Sequence, residues 1–191
     1  MKFLHIVSIL FFVLVVSGCT ASVKVWPPQN IADCDNFDDK PSETFSKTKD
    51  HCYAYFADQN NDVTLCEKII DSLVKDECLS DVAINTLNSD FCSDIINYYY
   101  KDTCYKTVSE KSGISSCGEI SDFELRNSCF YMVAVTHLNP DLCESVDTEH
   151  AIIDRDRCYY EIGKETRDIE LCNKVVSTFA QQGCIDFINN S

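Results

Sequence analysis

The sequence predicts an all-α protein, an α-solenoid of about six αα-hairpin repeats that are each closed by one disulfide. Twelve cysteines follow Cys19 and recur with a period of about 26 residues, which is the signature of a repeat array. The residues around each cysteine follow helical spacing. The chain also has only five glycines and four prolines to interrupt its helices.

The twelve cysteines form two alternating sets, so each repeat unit has a first and a second cysteine. The first cysteines are Cys34, Cys66, Cys92, Cys117, Cys143 and Cys172, and the second cysteines are Cys52, Cys78, Cys104, Cys129, Cys158 and Cys184. The two cysteines of a unit are 12 residues apart in four units, 18 apart in unit 1 and 15 apart in unit 5. Two units therefore have a lengthened connection between their helices, and such insertions often carry a binding function.

The first cysteine of each unit is predicted to lie near the start of a short helix. An apolar residue follows it by three positions, and the residue four positions before it is typical of a helix N-cap. These predicted N-caps are Asn30, Asp62, Asn88, Gly113, Asn139 and Asp168. We also expect three consecutive tyrosines, at 98–100, to end a short helix. Their side chains are expected to lie partly in the core and partly at the surface.

The second cysteine of each unit is predicted to lie in a helix with one apolar face. Apolar residues follow it by four positions, and the next residue is small in most units. These small residues are Ala57, Ala83, Ser109, Ala134 and Gly163. A neighbouring helix can pack closely on this face. Because both cysteines of a unit lie in short helices, each unit is predicted to be an αα-hairpin. The segment 121–124 is expected to open one such helix as a capping box.

The hairpin geometry predicts the disulfide pairing. On two antiparallel helices joined by a short turn, the two cysteines of a unit lie at the same level, as a disulfide requires. Pairing within units uses all twelve cysteines, whereas pairing between units leaves the outermost two without partners. The predicted bonds are Cys34–Cys52, Cys66–Cys78, Cys92–Cys104, Cys117–Cys129, Cys143–Cys158 and Cys172–Cys184.

Residues 1–18 are predicted to be a targeting segment, because Lys2 is followed by an apolar stretch that is short for a bilayer span. The sequence Val-Ser-Gly-Cys at 16–19 resembles the lipobox of prokaryotic lipoproteins. The resemblance implies cleavage before Cys19 and attachment of lipid, with acyl chains such as palmitate, to that residue. The alternative is a secretory signal cut after Ala21. Residues 19–29 are then a tether, in which Trp26 either packs on the first unit or anchors at the lipid interface.

Composition and motifs exclude several classes of function. The net charge of −15 becomes −16 without the signal segment, so neither nucleic acid nor anionic lipid headgroups are expected partners. The cysteines lack the close pairs typical of zinc sites, and His137 and His150 have no partner motif. We expect no metal, no cofactor, no catalytic residue and no enzymatic activity.

The domain 30–191 is similar in architecture to the Sel1-like, disulfide-stapled solenoids related to tetratricopeptide repeats. It also resembles uncharacterised prokaryotic lipoproteins whose repeats read Asp-x-x-Leu-Cys-Glu-x-Ile followed by Arg/Lys-Asp-x-Cys-Tyr, as at 62–79 and 139–160. We therefore expect a scaffold anchored by its N-terminal lipid to the cell membrane or outer membrane, outside the cytoplasm, that binds a protein or peptide. The alternatives are an envelope-acting enzyme or enzyme inhibitor with active groups in the lengthened loops, and a structural envelope lipoprotein.

Overall fold

The computed structural model describes residues 26–41, 47–146 and 152–190, and the regular secondary structure of these ranges is helical. Each unit consists of a short helix followed by a long helix. The short helices are 3-10 helices at Ile31–Asn36, Val63–Lys68, Ser89–Asp94, Cys117–Glu119 and Pro140–Ser145, and an α-helix at Ile169–Asn173. The long helices are α-helices at Lys49–Asn60, Ser72–Thr86, Tyr98–Ser112, Phe123–Thr136, Ile152–Thr166 and Thr178–Asn190.

The first arm of the hairpin differs from the sequence prediction, because it is a 3-10 helix in units 1–5. The segment between its N-cap and the next turn is only three to six residues long, which suits the tighter helix. The apolar residue three positions after the first cysteine ends this helix. In unit 2, the Ile69 N–H donates to the Cys66 carbonyl at 3.2 Å, and the Ile69 side chain is buried.

Two predicted helix boundaries are also wrong. Gly113 does not cap the short helix of unit 4; it ends the preceding long helix in the left-handed region, at φ 75°. The long helix of unit 4 begins one residue later than predicted, because its N-cap is Asp122, whose carboxylate accepts the Leu125 N–H at 2.8 Å. The other five predicted N-caps of the short helices are confirmed.

The described part of the chain contains six disulfides, and they join the pairs that the hairpin geometry predicts. Their Cα–Cα distances lie between 5.4 and 5.7 Å, and all twelve cysteines are buried. Each disulfide therefore fixes a short helix against the long helix of its own unit.

Successive units pack on one another in chain order. Each long helix contacts the next long helix and the short helix of the next unit. The small residue five positions after the second cysteine lies at this contact. In unit 2 it is Ala83, which is fully buried and whose carbonyl accepts the Asn88 N–H at 3.0 Å. In unit 5 the small residue is Gly163, and a Cβ added there would lie 3.3 Å from Cys172 Sγ. A small residue at this position therefore lets the first cysteine of the next unit approach closely.

Candidate interaction surface

In four of the six units, a buried carboxylate connects the unit to the next one. In units 1, 2, 3 and 5 an aspartate lies two residues before the second cysteine, and its two oxygens accept two consecutive backbone N–H groups of the following unit. The pairs are Asp50 with Ile70 (3.2 Å) and Asp71 (2.7 Å), Asp76 with Ile96 (3.0 Å) and Asn97 (2.8 Å), Asp102 with Ser121 and Asp122 (both 2.9 Å), and Asp156 with Val176 and Ser177 (both 2.8 Å). We call these four aspartates the aspartate clamps.

The N–H groups bound by the clamps lie in the turn between the short and the long helix of the next unit. Backbone groups at such a turn have no partner within their own helices. The clamps satisfy them and hold the turn at a fixed place on the preceding helix. Because charged acceptors form the stronger class of hydrogen bond, each clamp is a firm junction between units.

The two remaining units differ at the clamp position. Unit 4 has Asn127, which is buried, and the turn that follows it falls in the undescribed range 147–151. Unit 6 has Gln182, which is exposed to solvent. The polar Asn189 likewise replaces the small buried residue of the other units. Unit 6 therefore has exposed polar residues at two positions that the other units use to contact the unit after them.

In five units, the residue before the clamp position binds the first arm of its own unit. Lys101 Nζ donates to the Ser93 carbonyl at 2.7 Å, and Arg126 donates to the Ile120 carbonyl at 2.9 Å. At the equivalent position, Lys49 forms an ion pair with Asp35 at 2.8 Å, and Arg155 forms one with Glu144 at 3.7 Å. Gln181 donates to the Asn173 carbonyl at 3.1 Å. A side chain of the long helix thus contacts the short helix in five units.

The clamps were missed at the sequence level although their signal is present. The recurring Arg/Lys-Asp-x-Cys sequence includes both the basic residue and the clamp. An aspartate inside a helix is disfavoured, because its side chain competes with the helical backbone for hydrogen bonds. Because an aspartate recurs two residues before the second cysteine in four units, the sequence indicates that it has a specific hydrogen-bond partner. The repeat alone does not show that this partner lies in the next unit.

A groove of about 210 Å³ lies between the long helices of units 1 and 2. Its residues include Trp26, Tyr55, Asp58, Glu77 and Asp81. The Trp26 ring packs against Tyr55 at 5.7 Å, and it also packs against the buried Phe37 at 6.1 Å. Of the two alternatives for this residue, packing on the first unit is therefore the one observed.

The charges of this groove favour a cationic ligand. Partial burial, with the nearby Asp58 and Glu77 carboxylates, raises the pKa of Asp81 above its ordinary value. The Lys47 ammonium already lies 5.4 Å from the centroid of the Trp26 ring. Carboxylates that repel one another beside an aromatic wall are stabilised by an added cation.

A second groove, of about 470 Å³, lies between the long helices of units 5 and 6. It is mainly apolar, and Tyr160, Phe179, Ala180 and Gly183 line it together with Arg157. A Cβ on Gly183 would meet no atom within 4 Å, so the glycine widens the groove without being required for packing. The two ends of the array therefore present grooves of different chemistry on the same side of the long helices.

Exposed apolar side chains mark the edge where short helices turn into long ones. Ile70 and Ile96 occupy the same register in units 2 and 3 and are 82% and 80% exposed. Leu73 and Tyr99 occupy a second shared register and are also exposed. We call this set, with Tyr98, the turn edge of units 2 and 3.

Two members of the tyrosine triplet belong to this edge, and the place of the triplet in its helix differs from the sequence prediction. It begins the long helix of unit 3 instead of ending a short one, because the Asn97 side chain caps the helix by accepting the Tyr99 N–H at 3.0 Å. Tyr98 and Tyr99 face solvent, and Tyr100 is half-buried. Their exposure follows from the helix start, where no preceding turn covers them.

Several residues singled out in the sequence do not form a site. His137 contacts the Glu110 carbonyl at 2.9 Å and lies against Gly113, so it links units 3 and 4. Cys19 and His150 lie outside the described residues. Within the described ranges, no group of histidine, cysteine or acidic side chains is arranged to hold a metal ion. No helix in those ranges is long and apolar enough to cross a bilayer.

Comparison with known proteins returned no matching family model, no matching curated protein and no matching solved structure. The features of the chain itself identify its class. It is an all-α, disulfide-rich protein with repeat-like units, and six disulfides indicate an oxidising compartment outside the cytoplasm.

Proposed function

We propose that the chain is a lipid-anchored, extracytoplasmic scaffold that binds another protein or a peptide. Its six units form an α-solenoid with one disulfide in each unit, and the grooves between the long helices receive the partner. The series of aspartate clamps is the observation that carries this proposal. A groove shared by two units keeps its shape only if the units stay fixed relative to one another, and the clamps supply that connection.

The chemistry of the groove between units 1 and 2 supports a partner with a basic segment. Lysine or arginine side chains would lie between Asp58, Glu77 and Asp81 and against the rings of Trp26 and Tyr55. Charge complementarity of this kind sets specificity and the rate of encounter, and the acidic net charge of the chain acts in the same direction.

Capture of the partner from a detergent extract tests the scaffold. We expect a protein to be retained in stoichiometric amount by the parent chain and to be largely lost with Asp81→Lys, which reverses a charge in the groove. Glu67→Lys is the matched control, since Glu67 is an exposed residue on the short helix of the same unit. Equal capture by both variants would show that this groove does not bind the partner.

The lipid anchor has a separate test. Cys19→Ser removes the thiol to which the lipobox resemblance assigns the lipid, so the protein is expected to move from the detergent phase to the aqueous phase on phase separation. Mass spectrometry of the mature N-terminus provides the control. A chain that begins at Ser22, or that partitions identically with and without Cys19, contradicts the anchor.

A further inference from the structure

We propose that the turn edge of units 2 and 3 rests on the surface of the bilayer that holds the lipid anchor. This inference builds on the proposed anchor at Cys19. It assigns one edge of the array to the membrane and leaves the grooves on the long helices for the protein partner.

The first argument is the exposure of the edge. Ile70 and Ile96 project from tight turns, with 82% and 80% of their surface in contact with solvent. Both residues keep their backbone N–H groups bound to clamps in the preceding unit, so the turns that carry them are fixed. Exposed apolar side chains that recur at the same edge of two adjacent units mark a place of contact with another molecule or a membrane.

The second argument is the composition of the edge. It combines the exposed aliphatic side chains of Ile70, Leu73 and Ile96 with the rings of two tyrosines. Aliphatic side chains gain free energy on leaving water for the acyl region of a bilayer. Tyr98 and Tyr99, with an apolar ring and a polar hydroxyl, are suited to the headgroup region.

The third argument is the position of the tether. Trp26 packs on Phe37, which directly precedes the turn of unit 1, so the described chain starts near this same edge. Cys19 precedes Trp26 by seven residues, a span of at most about 25 Å for an extended chain. Trp26, packed on unit 1, is thus held within that distance of the lipid. Unit 2 packs directly on unit 1, and unit 3 packs on unit 2.

Tryptophan fluorescence in vesicles tests the contact on the full lipidated chain. Trp26 is the only tryptophan, so Trp26→Phe removes the background while keeping an aromatic ring on Phe37 and Tyr55. Tyr99→Trp is then added as a probe at the turn edge. Ile114→Trp is the matched control, because Ile114 is 72% exposed and lies at the opposite edge, after the end of the long helix of unit 3.

Both variants are placed in phosphatidylcholine vesicles with or without bromine on the acyl chains, and flotation first establishes that the chain is anchored. We expect brominated lipid to quench the Tyr99→Trp probe, with a blue-shifted emission, and to leave the Ile114→Trp probe unchanged. A floating chain with an unquenched Tyr99→Trp probe, or with both probes quenched, overturns the edge contact and leaves the anchor intact. A lipidated chain that does not float overturns both proposals.

Discussion

Asp76→Ala is expected to lower the free energy of unfolding by about 3–5 kcal/mol, since hydrogen bonds to charged groups contribute roughly 1.5–3 kcal/mol each. The variant removes both acceptors from the N–H groups of Ile96 and Asn97, at 3.0 and 2.8 Å. Asp76 is 2% exposed, so water does not readily replace the carboxylate. Denaturant unfolding followed by circular dichroism measures the loss.

The matched control for this variant is Asp94→Ala. Asp94 is an exposed carboxylate on the short helix of unit 3 and is not a clamp, so its removal is expected to change stability little. Hydrogen exchange then localises the damage. The turn at 95–97 and the long helix of unit 3 should lose protection first, because the clamp joins units 2 and 3. Equal midpoints for the two variants would show that the carboxylate does not hold the junction.

The disulfide framework was predictable because it depends on local spacing alone. Two cysteines 12 residues apart on either side of a turn meet whenever both arms are helical, whatever the rest of the chain does. The buried positions follow from the same periodicity: Val82 and Ala83, four and five positions after Cys78, were assigned to the apolar face, and both are buried. Patterns that repeat within a unit therefore predict the structure of that unit.

The contacts between units could not be predicted in this way. The Asp76 carboxylate binds N–H groups 20 and 21 residues further along the chain, and these groups carry no side-chain signature of their own. The position of Tyr98 was misjudged for a related reason. Asn97, the residue that starts its helix, also suits a turn, and only the packed structure shows which role it has.

Removing the central disulfide should be more damaging than removing a terminal one of the same size. The bonds Cys92–Cys104 and Cys172–Cys184 each close a loop with a separation of 12 residues, so both contribute about 3 kcal/mol on the chain-entropy model. All four sulfur atoms are buried, so the two double replacements by alanine also remove similar packing. Any difference between them must then come from the neighbouring units.

Unit 3 has a neighbour on each side, whereas the described contacts of unit 6 are with unit 5 alone. In a nearest-neighbour array, loosening a central unit removes two interfaces and loosening a terminal unit removes one. Cys92→Ala with Cys104→Ala is therefore expected to give the lower thermal midpoint and to raise hydrogen exchange in units 2–4. Cys172→Ala with Cys184→Ala should confine the change to units 5 and 6. Equal midpoints, with exchange raised uniformly along the chain, would mean that the six units unfold as one block and that their order in the array does not govern stability.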